Sequence, residues 1–219
     1  MLVRDWMTPN PITISDDTSM MKAIYLMKQN RFRRLPVLQG DKLVGIVTDR
    51  DLKEASPSKA TTLDVHELYY LLAELQVKDI MTPNPITVSP DDTVEEAALL
   101  MLQNTISGLP VVDDQSRVVG ILTQSDVFRA FVHITGIQQG GVQFALRLED
   151  RPDVIKEVID LLRARGARFV SLLTSYAFAR EGFQDIYIRV KDMDSEAVAA
   201  AKTDLAGRYE VLYVISTEP

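Results

Sequence analysis

Apolar positions along the first 135 residues follow one rhythm twice, and a second rhythm takes over afterwards. Ile12-Thr13-Ile14 and Ile86-Thr87-Val88 each follow a proline turn and read as short extended segments. Met20, Ala23, Ile24 and Met27 then share one face of a helix; Val94, Ala97, Ala98, Met101 and Leu102 do the same further on. Thr93, with Glu96 three residues later, predicts a capping box at the start of that second helix. Two strand pairs follow: Leu35–Leu38 with Leu43–Val47, and Leu109–Val112 with Val118–Leu122. Polar turns join them, Gln39-Gly40-Asp41 in one case and Asp113-Asp114-Gln115-Ser116 in the other. A closing helix runs from about Arg50 to Ala55, and again from about Ser125 to Ile134. Between the two passes, Ser56-Pro57-Ser58 is loop-like and Asp64–Leu75 reads as a helix with Val65, Leu68, Leu72 and Leu75 on one side.

Past Gly140-Gly141, expected to be a flexible join, the pattern changes. Val142–Leu148 alternates as a strand, and Pro152 suits the first position of a helix. Val154, Ile155, Val158, Leu161 and Leu162 form its stripe, which Gly166 ends. Phe169–Phe178 and Ile186–Val190 read as strands around a Glu181-Gly182 turn; Ala197–Leu205 is a weaker helix and Val211–Ile215 a last strand. The predicted order is βαββαβ.

The repetition is explicit in the letters. Residues 5–15, DWMTPNPITIS, match residues 79–89, DIMTPNPITVS, at nine of eleven positions. Leu35-Pro36-Val37 answers Leu109-Pro110-Val111, and GIVTDRD (45–51) answers GILTQSD (120–126). This doubled G-h-h-T-x-x-D pattern resembles the CBS domain, found in tandem as a Bateman module, over about residues 1–135. The resemblance implies two β-α-β-β-α repeats related by a pseudo-twofold, with clefts that bind AMP, ADP, ATP or S-adenosylmethionine. The C-terminal third, with Leu148-Glu149-Asp150-Arg151-Pro152-Asp153, resembles a ferredoxin-like ACT domain. Asp153 stands where amino-acid-binding members carry glycine. The whole arrangement resembles the acetoin-utilisation (AcuB-like) proteins. The fold expected is therefore α+β, with repeat one over 1–76, repeat two over 77–138 and an ACT-like domain over 142–219.

Candidate chemistry sits in the motifs. A carboxylate can accept hydrogen bonds from both vicinal hydroxyls of a ribose, and the resemblance places Asp51 and Asp126 in that role. Each is equally suited to the first turn of a helix, as Thr48 and Thr123 are to its cap. Functionally, those threonines would meet a phosphate. Ile12, Thr13 and Pro36, with Ile86, Thr87 and Pro110, would flank a flat base. Arg31, Arg33 and Arg34 precede Leu35-Pro36, and Arg50 and Lys53 add charge nearby. Ser107 and Gly108 hold the matching place in repeat two. Arginines suit phosphate oxygens; the alternatives are a solvated basic edge, or a reach across into the other cleft. Nucleotide-binding candidates are thus Ile12, Thr13, Arg33, Arg34, Pro36, Thr48, Arg50, Asp51, Ile86, Thr87, Gly108, Pro110, Thr123 and Asp126.

Composition narrows the classes. A net charge of −7 and a pI near 4.9 argue against wrapping nucleic acid. With no cysteine there is no disulfide or zinc-thiolate site. No apolar run approaches the ~20 residues of a membrane span, and Met1–Trp6 lacks a secretory core, so the cytoplasm is the expected compartment. His66 and His133 have no ligand spacing, and no catalytic signature is present; no enzyme activity, catalytic residue or metal site is expected. The expected function is a regulatory adenine-nucleotide sensor acting on the ACT-like domain or a regulated protein partner. The alternative is a homodimerisation scaffold with vestigial clefts. A homodimer or larger is expected, through an apolar surface of Met20, Met27, Ala98 and Met101.

Overall fold

The structure, a computed structural model, describes residues 1–56 and 74–218. The helix expected over Asp64–Leu75 therefore lies, but for Glu74 and Leu75, outside the described residues, as do Pro57-Ser58 and His66. The chain divides into two compact units, Met1–Val127 and Phe128–Pro219.

In the first unit, the chain runs α1 (Val3–Trp6), β1 (Thr8–Pro9), β2 (Ile14–Ser15), α2 (Met20–Asn30), β3 (Arg34–Gln39), β4 (Lys42–Thr48) and α3 (Asp49–Glu54). After a short 3-10 turn at Val77–Asp79 come β5 (Thr82–Pro83), α4 (Val94–Gln103), β6 (Gly108–Val112), β7 (Val118–Thr123) and the start of α5 (Gln124–Thr135). Ser19 caps α2, its hydroxyl accepting from the Lys22 N–H, while Thr93 and Glu96 form the expected capping box on α4. Both helices stop where the chain turns left-handed, at Arg31 and Thr105, each with φ 56°.

The stripes bury Met20, Ala23 and Met27 in one core and Val94, Ala97 and Met101 in the other lobe. Burying each methionine or valine among them contributes roughly 1.5–3 kcal/mol before the entropy cost is subtracted. This corrects the expected dimer surface: Met20, Met27 and Met101 are 0–4% exposed, because they point at the strands. The apolar groups facing outward are Met21 and Tyr25 on α2 and Leu99 and Leu102 on α4.

The sheets are built by exchange. One runs β2-β3-β4-β5 and the other β1-β7-β6, so the first strand of each repeat joins the other repeat's sheet. Thr8 pairs with Ile121 and Pro9 with Gly120; Thr82 pairs with Ile46 and Pro83 with Gly45. The cores follow the same crossing. Val3, Trp6 and Met7 pack with Val88, Leu109 and Leu122, whereas Leu75, Val77, Ile80 and Met81 pack with Ile14, Leu35 and Val47. The motif glycines make the crossing possible. A Cβ on Gly45 would lie 2.2 Å from the Met81 sulfur, and one on Gly120 2.3 Å from that of Met7.

The second unit contains β8 (Gly141–Glu149), α6 (Val154–Ala164), β9 (Arg168–Ser175), β10 (Phe183–Lys191), α7 (Ser195–Ala206) and β11 (Glu210–Thr217). Its antiparallel sheet has the order β11-β8-β10-β9. Phe144, Leu146, Ile186 and Ile188 meet Val154, Val158, Leu162 and Leu205 in one core. Three local expectations are corrected. Pro152 does not open α6, since Asp153 adopts a left-handed φ of 64° and the helix begins only at Val154. The strand expected to run to Phe178 ends at Ser175, leaving Phe178 86% exposed. Gly140-Gly141 is no loose tether: Gly141 pairs with Thr217, and the Gly140 carbonyl accepts from the buried Arg189 guanidinium.

Candidate functional site

Each motif threonine ends a strand and caps the helix that follows, which aims the motif aspartate back at the cap. Asp51 Oδ2 accepts from the Thr48 N–H at 2.7 Å and from its hydroxyl at 2.8 Å. Asp126 Oδ2 accepts from the Thr123 N–H and hydroxyl, both at 2.7 Å. The turn thus fixes one carboxylate oxygen in each copy. Among the described residues, Oδ1 of Asp51 has no hydrogen-bond partner. The threonine hydroxyl protons are committed to the aspartates, so these threonines orient the carboxylates rather than offering a proton to a phosphate. The copies differ in depth: Asp126 is 3% exposed, while Asp51 is half-buried.

Both turns open toward one cavity of about 1200 Å³, enclosed by the two repeats. Of the sequence-predicted residues, Ile12, Arg33, Arg34, Pro36, Thr48, Arg50, Asp51, Ile86, Gly108 and Thr123 line it. Thr13, Thr87 and Pro110 do not; Pro110 is buried and its carbonyl accepts from the Val88 N–H. Asp126 lies under Thr123 rather than in the wall. The sequence reading missed Ile46 and Ile121, which sit at matching places in the two motifs and present apolar surface to the cavity. It also missed Phe32, Asp49 and Glu54. The motif itself carried the signal for the isoleucines, since the residue two before the threonine points the same way as the threonine on a strand.

Arg34 reaches across to the other repeat. Its guanidinium crosses to repeat two and donates to the Ser107 carbonyl, and at 2.6 Å to the Ser107 hydroxyl. It occupies the space a side chain at position 108 would need: a Cβ there would lie 1.7 Å from Nη1. Positions 34 and 108 are equivalent in the repeat, and with glycine at 108 the Arg34 guanidinium lies directly against the backbone of the other copy. Burial pushes the Arg34 pKa down, partly offset by the Asp49 and Asp126 carboxylates. Arg50 is paired with Glu54 at 2.8 Å. Arg31 and Arg33 are exposed and make no ion pair among the described residues. No group of three or more metal-binding side chains occurs among the described residues, nor any helix long and apolar enough to cross a membrane.

A family model described as CBS domain matches residues 3–58 and 77–133. The chain is 35% identical over 134 residues to a CBS domain-containing protein of Dictyostelium discoideum, covering 61% of this chain and 92% of that one. It is 34% identical over 164 residues to an inosine-5'-monophosphate dehydrogenase of Korarchaeum cryptofilum, covering 72% of this chain but only 31% of the dehydrogenase. Among solved structures, Arabidopsis thaliana CBSX2 in complex with AMP is 36% identical, with a TM-score of 0.50 over 61% of this chain and 97% of that one. The CBS domain pair of protein MJ0100, in complex with 5'-methylthioadenosine and S-adenosyl-L-methionine, is 35% identical with a TM-score of 0.50, covering 60% and 99%. A Vibrio cholerae protein described as an acetoin utilization protein (AcuB) is 29% identical with a TM-score of 0.52, covering 64% and 96%.

Proposed function

Because the chain belongs to the CBS-domain family, we propose that it is a regulatory sensor of an adenosine-containing ligand, not a catalyst. The observation that carries this reading is the duplicated Thr-Asp turn at one shared cavity, with Asp51 in its lining and one Asp51 oxygen without a hydrogen-bond partner among the described residues. That oxygen can accept from the ribose hydroxyls, Ile12 and Ile46 offer a face for the base, and Arg31 and Arg33 offer charge to a phosphate. Relatives of the same architecture are described in complex with AMP, or with 5'-methylthioadenosine and S-adenosyl-L-methionine. AMP, ADP, ATP and S-adenosylmethionine are therefore the candidates.

Regulation follows from where the ligand sits. Each repeat lends its first strand to the other's sheet, so a ligand held between the copies favours whichever arrangement of the two it fits better. It shifts that equilibrium only by its differential affinity. We read residues 142–219 as an ACT-like module on the strength of the βαββαβ order and the sheet β11-β8-β10-β9. That module, or a protein partner, would read the shift. We also propose a homodimer, with Tyr25, Leu99 and Leu102 as the apolar groups available to it. The likeness to an acetoin utilization protein suggests a physiological setting without assigning one.

A thermal-unfolding panel tests the sensor reading. An adenosine ligand at a hundredfold excess over its Kd stabilises the native state by about 2.7 kcal/mol. One or more of AMP, ADP, ATP and S-adenosylmethionine should raise the transition, and free amino acids should not. If none moves it, the scaffold reading with vestigial clefts takes its place.

A further inference from the structure

We propose that Met7 and Met81 are paired oxidation sites, where a small peroxide converts the thioether to the sulfoxide and so unlocks the exchange of strands between the two repeats. This goes beyond the sensor reading; only its last consequence, a loss of ligand affinity, rests on that reading.

The two methionines stand at the same place in the duplicated segments DWMTPNP and DIMTPNP. Each thioether lies against the motif glycine of the other repeat, Met81 on Gly45 and Met7 on Gly120, with no room between them for even one added carbon. Each also packs on an apolar core: Met81 on that of Ile14, Leu35 and Val47, Met7 on that of Val88, Leu109 and Leu122. Both are nonetheless half-buried rather than sealed, so a molecule as small as hydrogen peroxide can reach them. Met20, Met27 and Met101, at 0–4% exposed, are shielded. The chain has no cysteine, so no thiolate competes for the oxidant.

In the reaction a sulfur lone pair attacks one peroxide oxygen, the O–O bond breaks and an S–O bond forms. Sulfur is oxidised by two electrons and the peroxide is reduced to water. The product is larger by one oxygen, and a flexible apolar side chain has become a polar one. Against a glycine that leaves no space for a Cβ, that oxygen overpacks the contact, and on an apolar core its desolvation is costly. The strands concerned follow at once: Thr82-Pro83 pairs with Ile46-Gly45, and Thr8-Pro9 with Ile121-Gly120. Displacing either sulfur therefore loosens a crossing strand. Thr8, Thr82, Ile46 and Ile121 all line the cavity, so its wall is disturbed with them. Met21 provides the contrast, since it is 37% exposed on the outward side of α2 and its sulfoxide can turn to water.

Treating the full chain with dilute hydrogen peroxide tests this, followed by peptide mass spectrometry, thermal unfolding and calorimetry with AMP. We expect Met7, Met81 and Met21 each to gain one oxygen before Met20, Met27 and Met101 do. The melting temperature should fall by about 5 °C or more, and AMP affinity by about tenfold. Methionine sulfoxide reductases acting on both sulfoxide epimers should restore the two properties. Met7→Leu with Met81→Leu, which nearly conserves volume, should make both resistant to peroxide, whereas Met21→Leu should protect neither. Should the double variant fold poorly, protein carrying norleucine in place of methionine serves as the non-oxidisable form, and its melting temperature should not respond to peroxide. Oxidation of Met21 with Met7 and Met81 left intact would overturn the proposal. So would full oxidation of Met7 and Met81 with an unchanged melting temperature, or an equal fall in the non-oxidisable form. Failure of the untreated chain to bind AMP would count against the sensor reading alone, because the melting temperature decides the lock independently.

Discussion

Repeat one and repeat two share a motif, a helix stripe and a turn, yet they do different things with them. Backbone features coincide closely: Asn10 and Asn84 both have φ 48°, and Arg31 and Thr105 both have φ 56°. Each motif glycine admits a methionine from the other repeat, and each motif threonine ties down an aspartate. The side chains around that common frame diverge. Repeat one supplies all the charge in the cavity; repeat two buries its aspartate more deeply and opposes Arg34 with a glycine. Backbone geometry that two copies must share to interlock is held in common, whereas positions facing the cavity are free to specialise.

The aspartates offer the largest test of that contrast. Asp51→Ala should weaken AMP by about ten- to hundredfold, the loss of a hydrogen bond to a charged acceptor, roughly 1.5–3 kcal/mol. Asp126→Ala should weaken AMP less, because Asp126 lies under Thr123 rather than in the cavity wall. Calorimetry on the two variants would break the comparison if both weakened AMP alike. The folding cost should run in the same sense: Asp126, the more buried, should lower the melting temperature more than Asp51.

Next in size, Gly45→Val and Gly120→Val should each destabilise by about 1–3 kcal/mol, because the new side chain must displace Met81 or Met7 from the other repeat's sheet. Near-equal losses in denaturant unfolding would support a symmetric exchange. A benign substitution at one of the two would show that the crossing there is loose.

Gly108→Ala should cost less, about 1 kcal/mol, since the atom in its way is the end of a flexible arginine. It should free Arg34 from Ser107 and tighten AMP binding. An unchanged AMP affinity would mean that the released guanidinium does not reach the phosphate.

The smallest effect concerns acid. Thr93 donates two hydrogen bonds to Glu96 at the start of α4 and holds its pKa below the usual carboxylate value, whereas the matching position of α2 is Lys22. A carboxylate with a depressed folded pKa contributes stability above its unfolded value, near 4.5, and loses it as pH falls through the folded value. Below about pH 4.5, hydrogen exchange in the first turn of α4 should therefore quicken more than in the first turn of α2. Equal acceleration in both would remove this difference between the repeats.

The sequence by itself determined the local pieces, because each depends on neighbours a few residues away. Strand pairs, helix stripes and the Thr93–Glu96 box follow from periodicity and capping. It also determined the contents of the motifs, which a doubled pattern makes visible. Only the tertiary structure decided where those pieces go. Nothing local tells Thr8-Pro9 to pair with Ile121 rather than with its own repeat, since the two sheets offer nearly identical edges. Nor does any local signal show that Met20 and Met101 face inward while Leu99 and Leu102 face outward, for all lie within apolar stretches and burial is settled by which face meets the strands. The role of Arg34 was likewise out of reach of the letters. Its partner is Ser107, 73 residues away, and only the meeting of the two copies brings the guanidinium against the glycine at its own equivalent position.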